Sequence, residues 1–424
     1  MSISKHIILF IVQIFFCAVC FAQSEKIDSL KKALPALNDT ARIDCLNKLG
    51  YTYMDLQKKD SSAYYANVAY EEAKKINYIH GIAVSFACKA QIVKHFDDDF
   101  KQSEAFGKES LSWYEKTGNK EGIESLYAYL WYTVFAQSRF DEAIEYAKRQ
   151  YASAVQHGDS YWAFDAIAGM YSTYRQSGDY EKGFLYAQEL YEIALKTKDK
   201  LNISFALYTI AQLYELIEDY PTALTYFRKV LQMDDNETRE HRVKHDNDIW
   251  FKMEFTEAFS NLGQFDSAWY YYNLFKPAKD KEVYMRVWWV STGECHFLQK
   301  DYHPALQNFQ LGLTGHKKLN DRNQVMRVLL DIGKTYLALN NDGEALKYGR
   351  EGLDIALQTR SRRYIRDGYR ILSAVFDRQH NKKETDSTFE TVSFYHLLDA
   401  DLLPLFGLVK AITSRNLCII HAVS

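Results

Sequence analysis

The chain has 424 residues, with 52 basic and 55 acidic side chains and a net charge of −3. This even balance argues against general affinity for nucleic acid, so we expect no nucleic-acid partner. Only 5 proline and 19 glycine residues are present, as in a nearly all-helical protein.

The first 22 residues have the pattern of a secretory signal. Lys5 and His6 precede an apolar stretch, and Cys20-Phe21-Ala22 places small residues at the −3 and −1 positions of a cleavage site. We therefore predict a signal peptide at 1–22, cleavage after Ala22, and an exported protein that is periplasmic or associated with the cell envelope. An uncleaved membrane anchor is the alternative, although the apolar run is short for a span of about 20 residues.

After a predicted N-terminal lead-in at 23–40, a small residue recurs about every 40 residues. Its positions are Ser62, Ser103, Ala143, Gly183, Ala223, Ala268, Ala305, Ala345 and Thr385. A regular period of this size is typical of stacked helical hairpins, each of which packs only on its neighbours. The sequence therefore predicts a repeat scaffold rather than a compact enzyme.

Two kinds of residue stand at fixed offsets before the small position. An aromatic ring lies three residues before it at Phe100, Phe140, Tyr180, Tyr220, Phe265 and Tyr302. A capping side chain lies one residue earlier still at Asp99, Asp179, Asp219, Asp301, Asn341 and Asn381. Such side chains cap a helix that begins immediately afterwards, so the second helix of each hairpin is predicted to begin at the ring.

A further ring recurs nine residues before the small position, at Tyr53, Tyr174, Tyr214, Phe259, Tyr336 and Phe376. The phrases SGDYEKG (177–183), EDYPTA (218–223) and KDYHPA (300–305) then complete a pattern that resembles the tetratricopeptide repeat (TPR) family. The resemblance covers about residues 40–396. It implies an all-α fold, a right-handed superhelical solenoid of about nine TPR-like helical hairpins over 41–398, with a concave groove. The period near 40, against 34 in the family, indicates longer helices.

In that family the groove is lined by first-helix positions. Carried over to this chain, the resemblance implies groove residues Asp165, Arg175, Gln212, Glu215, Glu257, Glu294, Lys334 and Arg370. Glu215, Glu257 and Glu294 fall in successive repeats, which favours a basic or amphipathic segment as ligand. Ordinary solvated helix surface is the alternative. Charge reversal at Glu257 and Glu294 together is expected to weaken partner binding without unfolding the chain.

Two other clusters are open to a structural or a functional interpretation. Arg362, Arg366 and Arg370 share a helix face, which is either solvated or a contact for an anionic peptide or phosphate. His241 and His245 lie four residues apart, so they either share a metal ion or belong to an enlarged polar connection, which we favour.

Cysteine spacing gives no disulfide framework. Cys45 and Cys88 lie on first helices of adjacent repeats, so they either pair in an exported protein or remain buried thiols, which is the reading we favour.

The sequence contains no phosphate-binding loop, nucleophile elbow or zinc-protease motif, so we predict no enzymatic activity, no cofactor and no metal. The segment 399–424 is apolar but interrupted by Pro404 and Lys410, which predicts either a C-terminal capping helix or a truncated remnant. The favoured function is an exported scaffold that binds an unidentified protein or peptide in its groove. The alternative is the sensory module of a two-component system, truncated before its membrane helix and output domain, which the resemblance to TPR sensor regions suggests and which implies association with a membrane signalling protein.

Overall fold

In the six repeats that have the ring three residues before the small position, the second helix begins at that ring, as predicted. The computed structural model describes residues 26–233, 247–277, 282–381 and 383–388, apart from positions 98, 217 and 320, together with residue 390. Within these ranges the chain is helical and has no strand. The signal peptide, His241, His245 and the segment 399–424 lie outside the described residues, so the predictions made for them stay predictions.

A helical stretch at 26–33 and a 3-10 turn at Leu34–Ala36 precede the repeats. The helices that follow are α1 (Asp39–Asp55), α2 (Lys59–Lys75), α3 (Ile79–Asp97), α4 (Phe100–Thr117), α5 (Lys120–Phe135), α6 (Phe140–His157), α7 (Ser160–Ser177), α8 (Tyr180–Thr197), α9 (Lys200–Leu216), α10 (Tyr220–Gln232), α11 (Asn247–Asn261), α12 (Phe265–Leu274), α13 (Glu282–Leu298), α14 (Tyr302–Lys318), α15 (Arg322–Ala338), α16 (Asp342–Thr359) and α17 (Arg362–Arg378).

These helices pack in consecutive pairs, in which an odd-numbered first helix precedes an even-numbered second helix. The all-α solenoid of TPR-like hairpins is therefore confirmed. Asp99, Asp179, Asp219 and Asn341 each accept a hydrogen bond from the backbone N–H three residues later, as predicted for caps. Asp301 precedes its helix without such a bond.

The recurring small residues are needed because another helix lies against them. Eight of the nine, from Ser62 to Ala345, are buried, and Thr385 is half-buried. Within a repeat, the ring nine residues before the small position stacks on a second ring three residues after it. The stacked pairs are Tyr53–Tyr65, Tyr174–Tyr186, Tyr214–Tyr226, Phe259–Tyr271 and Tyr336–Tyr348, with centroids 5.3–5.7 Å apart.

A left-handed residue joins the first helix of a repeat to the second. It lies five residues before the small position, with φ between 55° and 81°, at Gln57, Ser138, Gly178, Glu218, Gly263, Lys300, Asn340 and His380. This conformation reverses the chain in a short turn, and L-residues adopt it at a cost.

The described residues divide into two compact units. The first unit comprises residues up to 134 together with 149–162, and the second comprises 135–148 and the residues from 163 onward. In the first unit Cys45 and Cys88 are buried free thiols, so the alternative of a disulfide between them is wrong. Among the described helices none is both long and apolar enough to cross a bilayer.

Candidate functional site

The first helices of the second unit bring charged side chains together along one face. We call this set the charged interior, and its members are Arg175, Glu215, Glu254, Glu257, Glu294, Arg327, Asp331, Lys334, Arg363, Arg366, Asp367 and Arg370. They come from the six odd-numbered helices α7 to α17. First helices therefore share a common concave face in this unit.

At the α7 end of the charged interior, polar side chains form a chain of contacts across three repeats. The Tyr171 hydroxyl donates to Gln212 Oε1 at 3.0 Å, and Gln212 Nε2 donates to Glu254 Oε2 at 2.8 Å. The other oxygen of Glu254 lies 3.7 Å from the Arg175 guanidinium. Because α7 and α11 belong to repeats two apart, this ion pair shows that the face is strongly curved.

Arg327 of α15 is the central cation of the next stretch. It lies 2.8 Å from Glu294 on α13, 3.5 Å from Glu257 on α11 and 3.8 Å from Asp331 on its own helix. Ser291 donates a short hydrogen bond to Glu257. One guanidinium thus partners carboxylates from three helices, as its planar set of five donors allows.

The α17 end is rich in cations. Lys334 lies 3.4 Å from Asp331 and 3.3 Å from Asp367, and Asp367 also lies 3.6 Å from Arg366 and 3.8 Å from Arg370. The arginine face that the sequence left open therefore belongs in part to the charged interior. Although burial opposes it, Lys334 and the neighbouring arginines hold the pKa of Asp367 below its usual value.

Nearby cations only partly balance the carboxyl groups on helices α9 to α13. Burial, together with the charges of Glu254 and Glu257, raises the pKa of Glu215 well above its usual value. No described side chain forms an ion pair or a hydrogen bond with the Glu215 carboxylate, although the more distant charge of Arg175 opposes the shift. Burial also raises the pKa of Glu257 to about 7, even though Arg327 opposes the shift. The carboxyl groups of this stretch outnumber the nearby cations, so an added cation would favour their ionised form.

These side chains are not sealed off from solvent. The exposed fraction of the side chain is 13% for Glu257, 23% for Arg327 and 31% for Glu294. Arg175 keeps 28% exposed, yet its Nε lies buried with no hydrogen-bond partner among the described residues. The network is thus surrounded by protein yet reachable from solvent, unlike a sealed hydrophobic core.

Of the eight groove residues predicted from the sequence, the structure brings seven to this network: Arg175, Gln212, Glu215, Glu257, Glu294, Lys334 and Arg370. Asp165 lies half-buried nearer the start of α7. Their role in binding a partner stays a prediction. The groove predicted from the sequence did not include Glu254, Arg327, Asp331 and Asp367. The spacing of Arg327, Asp331 and Lys334 at i, i+4 and i+7 was the signal that these belong to one helix face.

Nothing in the described part of the chain groups three or more His, Cys, Asp or Glu side chains in a way that could hold a metal ion. Burial raises the pKa of the Cys88 thiol to about 12, which leaves it protonated and unreactive.

A family model described as tetratricopeptide repeat matches residues 167–236, which span α7 to α10. Tetratricopeptide repeats are therefore identified in this segment, and the hairpins described before and after it have the same ring-stacked arrangement. No curated protein matches the chain at significance. Two solved structures share the fold of this chain at 12% identity: a Rap protein complexed with competence and sporulation factor, and the quorum sensor NprR from B. thuringiensis in its apo form.

The Rap structure aligns with a TM-score of 0.52 over 80% of this chain and 98% of its own. NprR aligns with a TM-score of 0.51 over 84% of this chain and 99% of its own. At this identity the likeness shows the fold alone.

Proposed function

We propose that this chain is a non-enzymatic, exported binding module whose charged interior takes a peptide or protein segment that carries positive charge. The observation that carries the proposal is the partly compensated stretch formed by Glu215, Glu254, Glu257 and Glu294, in which Glu215 has no ion-pair partner among the described residues. A cationic group of a ligand would favour the ionised form of these carboxyl groups and would form charge-assisted hydrogen bonds with them.

The same interior changes sign toward α17, where Lys334, Arg366 and Arg370 outnumber Asp367. Opposite potentials along one face orient a ligand and exclude wrong partners, even where each surface ion pair adds little affinity. One of the two similar folds was solved with a bound factor and the other is a quorum sensor, which is consistent in kind with a module that binds a signal. Export is proposed from the N-terminal sequence, and the two-component alternative stays a prediction.

The test uses three synthetic octapeptide pools, which carry a fixed arginine, a fixed glutamate or a fixed alanine at otherwise identical positions. We expect the immobilised full chain to retain the arginine pool preferentially. Glu215→Gln replaces a carboxyl that a bound cation would ionise with an amide that cannot ionise, and it breaks no ion pair, so it should reduce this preference while the fold persists.

Glu181→Gln, which alters an exposed carboxylate on α8, is the matched control and should leave the preference unchanged. Equal retention of the three pools by the wild-type chain would overturn the proposed function. Charge reversal at Glu257 and Glu294 is a poorer test, because both carboxylates bind Arg327 and reversal would break the network itself.

A further inference from the structure

The second unit contacts itself across a distance of 185 residues. Ser138 Oγ donates to Asn323 Oδ1 at 2.5 Å, and Asn323 Nδ2 donates to the backbone oxygen of Phe135 at 3.1 Å. One repeat further on, Ser361 Oγ donates to the backbone oxygen of Gln176 at 3.2 Å. We call these contacts the seam.

The two sides of the seam keep the same register. Ser138–Asn323 and Gln176–Ser361 are both separated by 185 residues, so one turn of the solenoid in this unit takes about that length. Turns between first and second helices, at 138 and 178, meet the starts of the first helices α15 and α17. The seam therefore joins successive turns of the solenoid edge to edge.

The seam is a packed contact rather than a loose approach. Ser138, Asn323 and Ser361 are each no more than 6% exposed. Gly178 has φ of +81°, and a Cβ atom there would lie 3.2 Å from Arg362 Cβ. A residue with a side chain would press on the facing helix, so glycine permits the close approach at this turn.

A closed seam has a consequence for how a partner reaches the charged interior. An open superhelical groove accepts a segment from the side, including a loop that is continuous at both ends. Where successive turns touch, side entry requires the turns to separate, while a chain end can enter along the axis. The hydrogen bonds that hold the seam are few and neutral, so they can be broken without unfolding a helix.

We propose that the seam is a gate that selects partners by how they are presented: a chain end reaches the charged interior with the seam closed, and an internal loop of a folded protein reaches it only when the seam opens. This inference rests on the proposed function. The proposed function requires a positively charged ligand, and the gate requires in addition that the ligand has a free chain end. The residues that hold the gate closed are Asn323 and Ser361, whose hydrogen bonds across the seam involve no charged side chain.

The test presents the arginine octapeptide pool in two forms, free at both ends or inserted in an exposed loop of a small folded carrier. For the wild-type chain we expect at least tenfold tighter binding of the free pool. The double variant Asn323→Ala/Ser361→Ala should reduce this ratio of affinities between the free and the loop form, mainly because it binds the loop form more tightly than the wild type does. Asn308→Ala, which removes a hydrogen bond to Thr292 away from the seam, is the control and should keep the ratio.

Circular dichroism and thermal unfolding establish that each variant is folded, and Ser361→Ala alone serves if the double variant is not. Equal affinity of the wild-type chain for the two forms would overturn the gate and leave the proposed function standing. An unchanged ratio in the folded seam variant would also overturn it. Failure of the free arginine pool to bind would overturn both proposals together.

Discussion

Arg327 and Glu257 form an ion pair at 3.5 Å although they belong to first helices two repeats apart. The intervening helix α13 contributes Glu294 to the same guanidinium, at 2.8 Å. A flat stack would keep alternate first helices apart, so this contact records the curvature that turns the first-helix surface into a concave interior.

The first prediction concerns the network held by Arg327. Arg327→Met leaves Glu257 and Glu294 without their common cation, and breaking a buried pair from one side costs about 3 kcal/mol. Urea unfolding should show this loss of stability. Arg350→Met, at an exposed position on α16, should change stability by less than about 0.5 kcal/mol. Further substitution with Glu257→Gln and Glu294→Gln should restore part of the loss, and no recovery would argue against the pairing.

The second prediction concerns pH. Because burial raises the folded-state pKa of Glu257 from about 4.5 to about 7, the folded protein binds more protons than the unfolded chain between these values. The stability that Glu257 contributes through this shift is therefore fully present below about pH 4.5 and is lost as the pH rises toward 7. Over this pH range the free energy of unfolding of Glu257→Gln should fall less than that of the wild type, by on the order of 2 kcal/mol. Urea midpoints at pH 5 and pH 7.5 measure it, and parallel pH profiles would contradict it.

The third prediction tests how tightly the seam is packed, by comparing alanine substitutions at two glycines. Gly178 and Gly263 occupy the same turn position in different repeats, with φ of +81° and +70°. Alanine at Gly263 meets no atom within 4 Å, so it should cost only the left-handed strain of about 1 kcal/mol. Alanine at Gly178 should cost clearly more, because it presses on Arg362. Equal losses of stability for the two variants would show that the seam is not tightly packed.

The fourth prediction concerns the stacked rings. Tyr348→Ala removes the partner of Tyr336, whose ring lies 5.7 Å away at an angle of 15°, and should destabilise the chain by about 2 kcal/mol. Tyr348→Phe keeps the ring and should cost less than about 0.5 kcal/mol. Thermal unfolding compares the two, and a similar loss in both would assign the effect to the hydroxyl instead of the stack.

Helix starts and close-packed positions could be predicted from short sequence patterns. Asp219 followed by Tyr220 and Pro221 specifies a helix start through capping and a fixed φ, and α10 begins at Tyr220. The small residue at Ala223 is required by close packing, and it is fully buried. These features depend on a few neighbouring residues, which is why a single sequence reveals them.

Other features of the structure have only a weak sequence pattern or none. The left-handed turn residue is glycine at 178 and 263 but glutamate at 218 and lysine at 300, so no residue type marks it. Tyr226 and Tyr348 recur three residues after the small position, but rings are common in this chain and their stacking partners are twelve residues away. The contact of Ser138 with Asn323 depends on how curvature accumulates over many repeats, and no local pattern contains it.

The central claim is that a ligand binds in the charged interior of the second unit. The most direct measurement maps photo-cross-links from an arginine octapeptide pool that carries a photoreactive residue, using mass spectrometry of the full chain. We expect the cross-links to fall on the first helices α7 to α15, near Glu215, Glu257 and Glu294, and to disappear in Glu215→Gln. Cross-links confined to the outer second helices, or unchanged by that substitution, would contradict the claim.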